Sequence, residues 1–270
     1  RIYTLYNMIM KNFLITFLIS LMLTSGASAD TDGEKSLSKK NPGKVKDCFE
    51  GLNRATFSLN KKLDKAFFKP VAKGYRNLPS PIRTGTNNAL LNISSLITIP
   101  NNLLQGEFKT AGINTGRLVV NTTLGILGVF DVAEKMGFSK YEKEDYGQTL
   151  GVWGIGEGCY VVLPVLGPST VRDTFGSFIN IMGGDPYYNV STHGNNEYLN
   201  DSLYMTSKVV SGVSFRARNL ESIDNLEKNS LDFYASVKSL YLQDRQRKIA
   251  NTNPTIEIQY EGDWEEIDSN

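Results

Sequence analysis

The stretch that most limits what this chain can fold into is residues 117–131, with the sequence RLVVNTTLGILGVFD, its most apolar segment beyond the N-terminus. A helix needs about 20 mostly apolar residues to cross a bilayer. This segment is shorter and is interrupted by polar residues at 121–123 and by Gly125 and Gly128. It therefore predicts a buried hairpin, a re-entrant segment or an interfacial segment, with the central core helix of a soluble domain as the alternative.

Residues 10–29 have the three-part pattern of a secretory signal peptide. A lysine follows Met10, an apolar run covers residues 13–23, and the segment ends in Ala-Ser-Ala at Ala29. The apolar run is too short for a membrane anchor. We expect residues 1–29 to be an upstream extension plus a signal cleaved after Ala29. Because Asp30 stands where a lipid-bearing cysteine would follow the signal, we expect no covalent lipid anchor.

The charge balance narrows the classes of partner. The 270 residues carry 29 Lys+Arg and 28 Asp+Glu, and removing residues 1–29 leaves 27 basic against 28 acidic side chains. Binding to nucleic acid through a broad basic face is excluded, because neutralising phosphates needs clustered Lys and Arg. With His193 as the single histidine, in a predicted loop, the sequence offers no triad or metal site and predicts no cofactor.

Apolar spacing predicts a mainly helical domain over residues 48–249, after a flexible leader at 30–47 and before an acidic, disordered tail at 250–270. The first helices are expected to stop or kink at Pro70 and near Pro100. In the last helix, Ser230 is the expected cap. Its predicted apolar stripe is Leu231, Tyr234, Val237, Leu240 and Tyr241. The basic residues expected to complement its C-terminal dipole are Arg245, Arg247 and Lys248.

Glycines dominate residues 146–168, which predicts that no stable helix forms there. A short extended run is expected from Tyr160 to Val165, and Thr170 with Asp173 predicts the start of a following helix. The preceding Glu144-Asp145 pair is expected to be a solvated turn. The spaced glycines lack the strand and helix context of a nucleotide-binding loop, and Ser169 lacks a nucleophile elbow, so we predict no catalytic residue.

Many short motifs then follow one another in a single order and together resemble the VacJ/MlaA family. They are EGLNR at 50–54, KPVAKGYR at 69–76, P-x-R-x-G at 81–85, LQG at 104–106, GR at 116–117, NT-x-LG at 121–125, FDVA at 130–133, YGQTLG at 146–151, G-x-G-x-G-x-Y-x-x-LP at 154–164, GPS-x-x-RD at 167–173 and a closing segment at 231–245. The motif residues that we single out are Glu50, Gly51, Asn53, Pro70, Gly147, Thr149, Gly151, Gly156, Tyr160, Pro164, Arg172 and Asp173.

The resemblance implies an outer-membrane component of phospholipid trafficking that maintains lipid asymmetry. It implies a mainly α, ring-like helical domain with amphipathic helices in the inner leaflet, a short Gly-rich extended segment and a central amphipathic channel. Such a protein would take misplaced phospholipid from the outer leaflet and pass it to a periplasmic carrier of the MlaC type, alongside a trimeric porin. The expected location is the periplasmic face of the outer membrane. The alternatives are a non-transporting surface factor for spreading or adhesion and, third, an esterase.

The same resemblance assigns roles to single residues. Residues 117–131 would form the membrane-embedded or channel-lining hairpin. The residues of a hinge or gate would be Phe57, Leu59, Asn60 and Leu63, with core packing as the alternative. The candidates for contact with a phosphate head group are Arg54, Arg83 and Arg117, because a guanidinium binds phosphate bidentately. For each arginine, a structural salt bridge or helix cap is the alternative.

The two cysteines are Cys48 and Cys159. After export they would meet an oxidising compartment, where they could pair or remain two buried small hydrophobic residues. Both stand where the family usually has proline, and this paired replacement favours a disulfide.

Overall fold

The fold is mainly α-helical, as the apolar spacing predicts. The computed structural model describes residues 45–193 and 200–251. The predicted signal peptide, nearly all of the leader and most of the acidic tail lie outside the described residues. The helices are α1 (Glu50–Leu63), α2 (Lys69–Arg76), α3 (Ser80–Leu104), α4 (Phe108–Thr123), α5 (Val132–Lys135), α6 (Tyr146–Val152), α7 (Val171–Ile179), α8 (Pro186–His193), α9 (Asp201–Arg218), α10 (Leu220–Asn229) and α11 (Phe233–Ile249).

Strands β1 (Tyr160–Leu163) and β2 (Gly167–Thr170) form one antiparallel hairpin, with Tyr160 opposite Thr170. The start of the extended run at Tyr160 is therefore confirmed. Tyr160 and Val162 pack with Tyr234 and Leu242 of α11 in a small apolar cluster. The hairpin thus packs against α11.

The segment before α1 runs beside β1. The Tyr160 amide donates to the Lys46 carbonyl at 2.9 Å, and the Asn53 side-chain amide donates to the Tyr160 carbonyl, also at 2.9 Å. In the structure Cys48 and Cys159 are joined by a disulfide with their Cα atoms 5.6 Å apart. The hydrogen bonds and the disulfide thus join the segment before α1 to β1, although the two cysteines are 111 residues apart in the sequence.

Of the two breaks expected at prolines, the one at Pro70 is confirmed and the one near Pro100 is wrong. Before Pro70 the regular α-helix ends at Leu63 and gives way to a π-helical turn (Asp64–Phe68), after which α2 begins with proline in its first turn. Helix α3 continues through Pro100 to its end at Leu104. There the side-chain amide of Asn101 donates to the Ile97 carbonyl at 2.8 Å, adding a hydrogen bond where proline removes one.

Residues 117–131 form the last part of α4 and the loop that follows it, and they are not an apolar core. Ile126 and Leu127 adopt left-handed backbone angles, φ 52° and 56°. The amides of Leu127 and Gly128 donate to the carbonyls of Thr122 and Asn121, at 3.0 and 2.8 Å. The loop therefore holds two unfavourable conformations while exposing its apolar side chains, which contradicts the soluble core helix.

The glycine-rich region does contain a helix, contrary to expectation. Asp145 caps α6 by accepting the Gln148 amide at 3.0 Å. A Cβ atom at Gly147 would come within 2.7 Å of Asp173 and Arg245 atoms. Glycine is therefore used here for close packing, and the helix gains from that packing what it loses in intrinsic propensity.

Helix ends agree in part with the sequence. Thr170 caps α7 by accepting the Asp173 amide at 3.2 Å, as predicted. The last helix is capped by Asp232 rather than Ser230, because the Asp232 carboxylate accepts the Ala235 amide. Leu231 lies outside that helix and is fully exposed.

Two further expectations are wrong in part or in full. The apolar stripe of α11 is its inner face only in part, because Tyr234 is buried and Tyr241 packs against the same cluster, whereas Leu240 is exposed and the buried leucine is Leu242. His193 ends α8 instead of lying in a loop.

Candidate functional site

The most unusual property of the described residues is that their polarity is inverted. Polar and charged side chains outnumber apolar ones among the buried residues. In contrast, Phe108, Leu127 and Leu166 are 72, 71 and 77% exposed, and many other large apolar side chains are exposed as well. Soluble proteins rarely expose extended apolar surface, and when they do it marks contact with a partner or a membrane.

Side-chain amides and hydroxyls connect α3, α4 and α6. Asn114 donates to Asn102 at 2.9 Å, and Asn92 donates to Thr122 at 2.9 Å. The Thr149 hydroxyl of α6 donates to the Asn101 side chain at 2.6 Å. Such a network fixes the relative position of the helices by directed hydrogen bonds rather than by apolar packing.

Arg117 is buried within this polar interior. Its Nη2 lies 2.5 Å from Asp131 Oδ2, and its Nη1 donates to the Ser139 carbonyl at 3.0 Å. Arg117 also lines a cavity of about 20 Å³. A water molecule needs about 10–15 Å³, so this space is too small for a head group. Arg117 makes the salt bridge that was the alternative to a phosphate contact.

Arg54 is also paired. Its Nε lies 2.7 Å from Glu50 Oε1 and its Nη2 lies 2.7 Å from Asp232 Oδ2. The guanidinium stacks 4.4 Å above the centre of the Tyr234 ring. Arg54 therefore links α1 to the start of α11.

Arg83 differs from the other two arginine candidates. Its Nε donates to the Leu78 carbonyl at 3.0 Å, and it forms no salt bridge with any of the described residues. It lines a cavity of about 170 Å³ between α2, α3 and α9. The three candidate arginines thus share no neighbours, and the structure does not bring them together in one site.

The residues assigned to a hinge lie on α1. The Phe57 ring packs against the rings of Phe233 and Tyr234, with centroids 5.3 and 5.4 Å apart. Asn60 donates to the Leu163 carbonyl at 2.9 Å and accepts the Val165 amide at 2.7 Å. These contacts attach α1 to α11 and to the β hairpin.

The other two hinge candidates make fewer contacts. Leu59 is half exposed. Leu63 is the last residue before the π-helical turn, a feature that often occurs at functional sites. A hinge or gate formed by these four residues remains a prediction.

The strongest electrostatic cluster was missed by the sequence analysis. Arg245 of α11 lies 2.7 Å from Asp145 and 2.8 Å from Asp173, and Arg172 lies 3.1 Å from Asp173. The Tyr241 hydroxyl completes the cluster at 2.5 Å from Asp173. Burial opposes ionisation of Asp173, but Arg245 and Arg172 hold the pKa of its carboxyl below the usual value.

This ion cluster corrects two expectations. Arg245 does not complement the dipole of its own helix but joins the starts of α6 and α7. The Glu144-Asp145 pair is not a solvated turn, because Glu144 is buried and Asp145 caps α6. The one available signal was that Asp173 and Arg245 both fall within family motifs.

Glu144 is a buried acid with an altered titration. Its Oε2 accepts a hydrogen bond from the Gln105 amide at 3.0 Å. Burial, with a smaller contribution from the neighbouring acids Glu107, Asp145 and Glu142, raises the pKa of the Glu144 carboxyl to about 7, although the Gln105 hydrogen bond lowers it. Because the folded pKa exceeds that of an unfolded glutamate, folding favours the protonated form.

We expect Glu144→Gln to make the protein more stable at alkaline pH. The stability that protonated Glu144 contributes is complete below about pH 4 and is lost as pH rises through about 7. At pH 8 the variant should gain roughly 1–2 kcal/mol in free energy of unfolding over the wild type, with little difference at pH 4. Denaturant unfolding at both pH values measures this. Equal differences at pH 4 and pH 8 would contradict the prediction, and the exposed Glu142→Gln is the control.

None of the helices within residues 45–193 and 200–251 is long and apolar enough to cross a membrane. In the same residues, no three His, Cys, Asp or Glu side chains come together in a way that could hold a metal ion.

Comparison with known proteins adds independent information. The family model described as "MlaA lipoprotein" matches residues 45–248. A protein of Rickettsia bellii (strain RML369-C), named as an uncharacterized protein, is 35% identical over 213 residues, which cover 76% of this chain and 77% of that protein. The "Intermembrane phospholipid transport system lipoprotein MlaA" of Escherichia coli (strain K12) is 32% identical over 234 residues, covering 83% of this chain and 88% of the relative.

A solved structure reported as "Structural basis for maintenance of bacterial outer membrane lipid asymmetry" has the same fold. The TM-score is 0.63 and the sequence identity is 32%, over 75% of this chain and 98% of that chain.

Proposed function

The chain belongs to the MlaA family, and on that premise we propose that it is a component of an intermembrane phospholipid transport system that maintains the lipid asymmetry of an outer membrane. The observation that supports this most directly is the inverted polarity, with large apolar side chains exposed around a polar interior. Apolar side chains gain free energy when acyl chains cover them, whereas a zwitterionic or anionic head group requires polar contacts.

We propose further that the protein lies at the periplasmic face of the outer membrane, in the inner leaflet. In this arrangement the short apolar helices and the loop at 124–130 contact acyl chains, and the polar interior gives a head group a route. The protein takes misplaced phospholipid from the outer leaflet and passes it to a periplasmic carrier of the MlaC type. A trimeric porin is the proposed neighbour in the membrane.

Passage of a head group requires the interior to widen, because the cavity beside Arg117 has room for little more than a water molecule. We place this opening at the π-helical turn after Leu63, where α1 meets α2. The contacts of Phe57 and Asn60 hold α1 against α11 and the β hairpin, on one side of that turn. Rotation at the turn would move α2 relative to α1 and would leave those contacts and the Arg245 cluster in place.

The test of this function is deletion of the gene and measurement of phospholipid in the outer leaflet. We expect surface-exposed phospholipid to increase, and the wild-type gene to restore the original level. An unchanged leaflet composition would contradict transport and favour the non-transporting surface factor. A parallel lipid-hydrolysis assay on the purified protein is expected to give no product, and a measurable rate would favour the esterase alternative.

A variant of the exposed loop tests the lipid-facing surface. We expect Leu127→Asn to weaken association with phosphatidylcholine vesicles by roughly tenfold, because about 1.5 kcal/mol or more of apolar burial in lipid is lost. Leu127 is 71% exposed and has a left-handed backbone that asparagine tolerates, so the fold should be retained. Vesicle flotation measures binding, with Lys140→Asn as the control. Equal binding by both variants would remove this loop from the lipid-facing surface.

A further inference from the structure

The distribution of salt bridges singles out two arginines. Nine arginines lie in the described part of the chain, and seven of them form a salt bridge to a carboxylate there. The two without a carboxylate partner among residues 45–193 and 200–251 are Arg83 and Arg218. An arginine is always charged and carries five N–H donors. Each of these two guanidinium groups therefore has a positive charge with no carboxylate partner and N–H donors available to an anion.

Both unpaired arginines line the same cavity. It measures about 170 Å³ and is lined by Tyr75, Ser80, Arg83, Thr84, Asn87, Ser214, Ala217 and Arg218. No aspartate or glutamate is among these residues. Since each water needs about 10–15 Å³, the cavity has room for an anion the size of a phosphate.

The polar groups around the cavity suit a tetrahedral oxyanion. Arg83 uses its Nε for the Leu78 carbonyl and keeps its two terminal nitrogens. Arg218 donates one terminal nitrogen to the Asn87 side-chain oxygen, which orients the guanidinium. The hydroxyls of Ser80 and Thr84 lie in the first two turns of α3, whose N-terminal end carries positive partial charge.

Position and access also agree with a binding role. Arg83 is partly buried, whereas Arg218 and Ser80 are exposed, so an anion can enter from the surface. The cavity lies where α2, α3 and α9 meet, and Ala72 and Ala217 pack there with Leu220 in a small apolar cluster. The Leu78 carbonyl and the Asn87 side-chain oxygen orient the two guanidinium groups beside this cluster without a carboxylate.

We propose that this cavity binds a phosphate group, with Arg83 and Arg218 as its two cationic contacts. The phosphate comes either from the head group of a phospholipid or from free phosphate, and the two sources present the same oxyanion. The head-group reading rests on the proposed transport function, whereas phosphate binding itself does not. Arg83 was one of three head-group candidates in the sequence, and Arg218 was not among them.

The test measures binding to the full chain in detergent micelles by calorimetry. The probes are dihexanoyl phosphatidylglycerol, inorganic phosphate, and dihexanoylglycerol, which has the same chains and no phosphate. We expect Arg83→Gln/Arg218→Gln to weaken binding of the phospholipid at least tenfold, because both charged hydrogen-bond donors to the phosphate are lost. The charge-matched control Lys61→Gln/Arg247→Gln should bind as the wild type does.

A second variant guards against loss of the fold. Ser80→Asp puts a carboxylate at the cavity and at the first residue of α3, where a negative charge favours the helix. We expect it to reduce binding as strongly as the double arginine variant and to leave the melting temperature unchanged or higher. Binding by either variant at the wild-type affinity would overturn the proposal.

The probes separate the two sources of phosphate. Competition by inorganic phosphate at the same concentration as the phospholipid supports a free-phosphate site. Binding of the phospholipid alone supports a head-group site, while equal affinity for dihexanoylglycerol overturns phosphate recognition.

A vesicle-to-vesicle transfer assay separates this inference from the function. Absence of transfer by the wild type contradicts the proposed function and leaves phosphate binding to be judged by calorimetry. Transfer and binding that are both unchanged in the double variant contradict only the phosphate site.

Discussion

Replacing Arg245 with methionine is expected to lower the free energy of unfolding at pH 7 by about 3–5 kcal/mol, as is typical when one partner of a buried ion cluster is removed. The Arg245 guanidinium contacts Asp145 at 2.7 Å and Asp173 at 2.8 Å. Without it, the buried Asp173 and the partly exposed Asp145 lose the guanidinium that they share, and Arg172 alone faces Asp173. Thermal and denaturant unfolding of the variant measure the loss.

The loss should depend on pH in a defined direction. Arg245 holds the pKa values of the Asp145 and Asp173 carboxyls below their usual range, against the effect of burial. Their contribution to stability is therefore present above the unfolded aspartate pKa of about 4 and is lost as pH falls through the lower folded values. The wild type loses this stability on acidification, whereas the Arg245→Met variant already lacks it at pH 7. The difference between them should narrow below about pH 4.

Controls separate this cluster from a general effect of charge. Arg247→Met removes a charge from the same helix, where it pairs with Asp244 on the surface, and should cost less than about 1 kcal/mol. Adding Asp145→Asn to Arg245→Met should recover part of the stability, because one unpaired carboxylate is removed. If Arg245→Met and Arg247→Met have equal effects, the cluster does not contribute to stability as argued.

The second large effect is expected from the disulfide between Cys48 and Cys159. The two cysteines are 111 residues apart in sequence. A cross-link that closes a loop of this size restricts the unfolded chain, and loss of a native disulfide costs about 2–5 kcal/mol. We expect Cys48→Ser/Cys159→Ser to lower the free energy of unfolding by this amount. Denaturant unfolding without reductant measures it.

Reduction provides the matched comparison. Dithiothreitol should lower the stability of the wild type to that of the double serine variant and should leave the variant unchanged. Mass spectrometry after alkylation under non-reducing conditions reports the thiols directly. Two alkylated cysteines in the native protein would contradict the disulfide.

The sequence predicts the helical class, the start of β1 and the cap of α7 because these depend on neighbouring residues. Thr170 and Asp173, for example, are three positions apart and meet within a single turn. The Arg245 cluster could not be predicted in this way, since Arg245 is 100 residues from Asp145 and 72 from Asp173. Spacing along one helix gives no information on which distant helix will face it.

Apolar spacing also left open which face of each helix points inward. It is a sound guide to the existence of a helix, because it repeats with the helical period. In this protein, however, Asn101 and Asn114 are buried while Leu103 and Phe108 are exposed. The usual assumption that the apolar face is the inner one fails here. For this reason apolar spacing could not predict which site residues would be buried and paired. Among the head-group candidates, Arg83 retains free donors, whereas Arg54 and Arg117 are paired.

Because many large apolar side chains are exposed in the folded state, the solubility of this protein and its folding stability depend on different residues. In water, the correctly folded chain exposes apolar surface of the kind that other proteins expose only when they unfold. Aggregation during purification is therefore expected even where no unfolding occurs, and detergent should prevent it without changing the intrinsic free energy of the fold. Substitutions selected for higher soluble yield would then accumulate at positions such as Phe108 and Leu166 and would strengthen no internal contact.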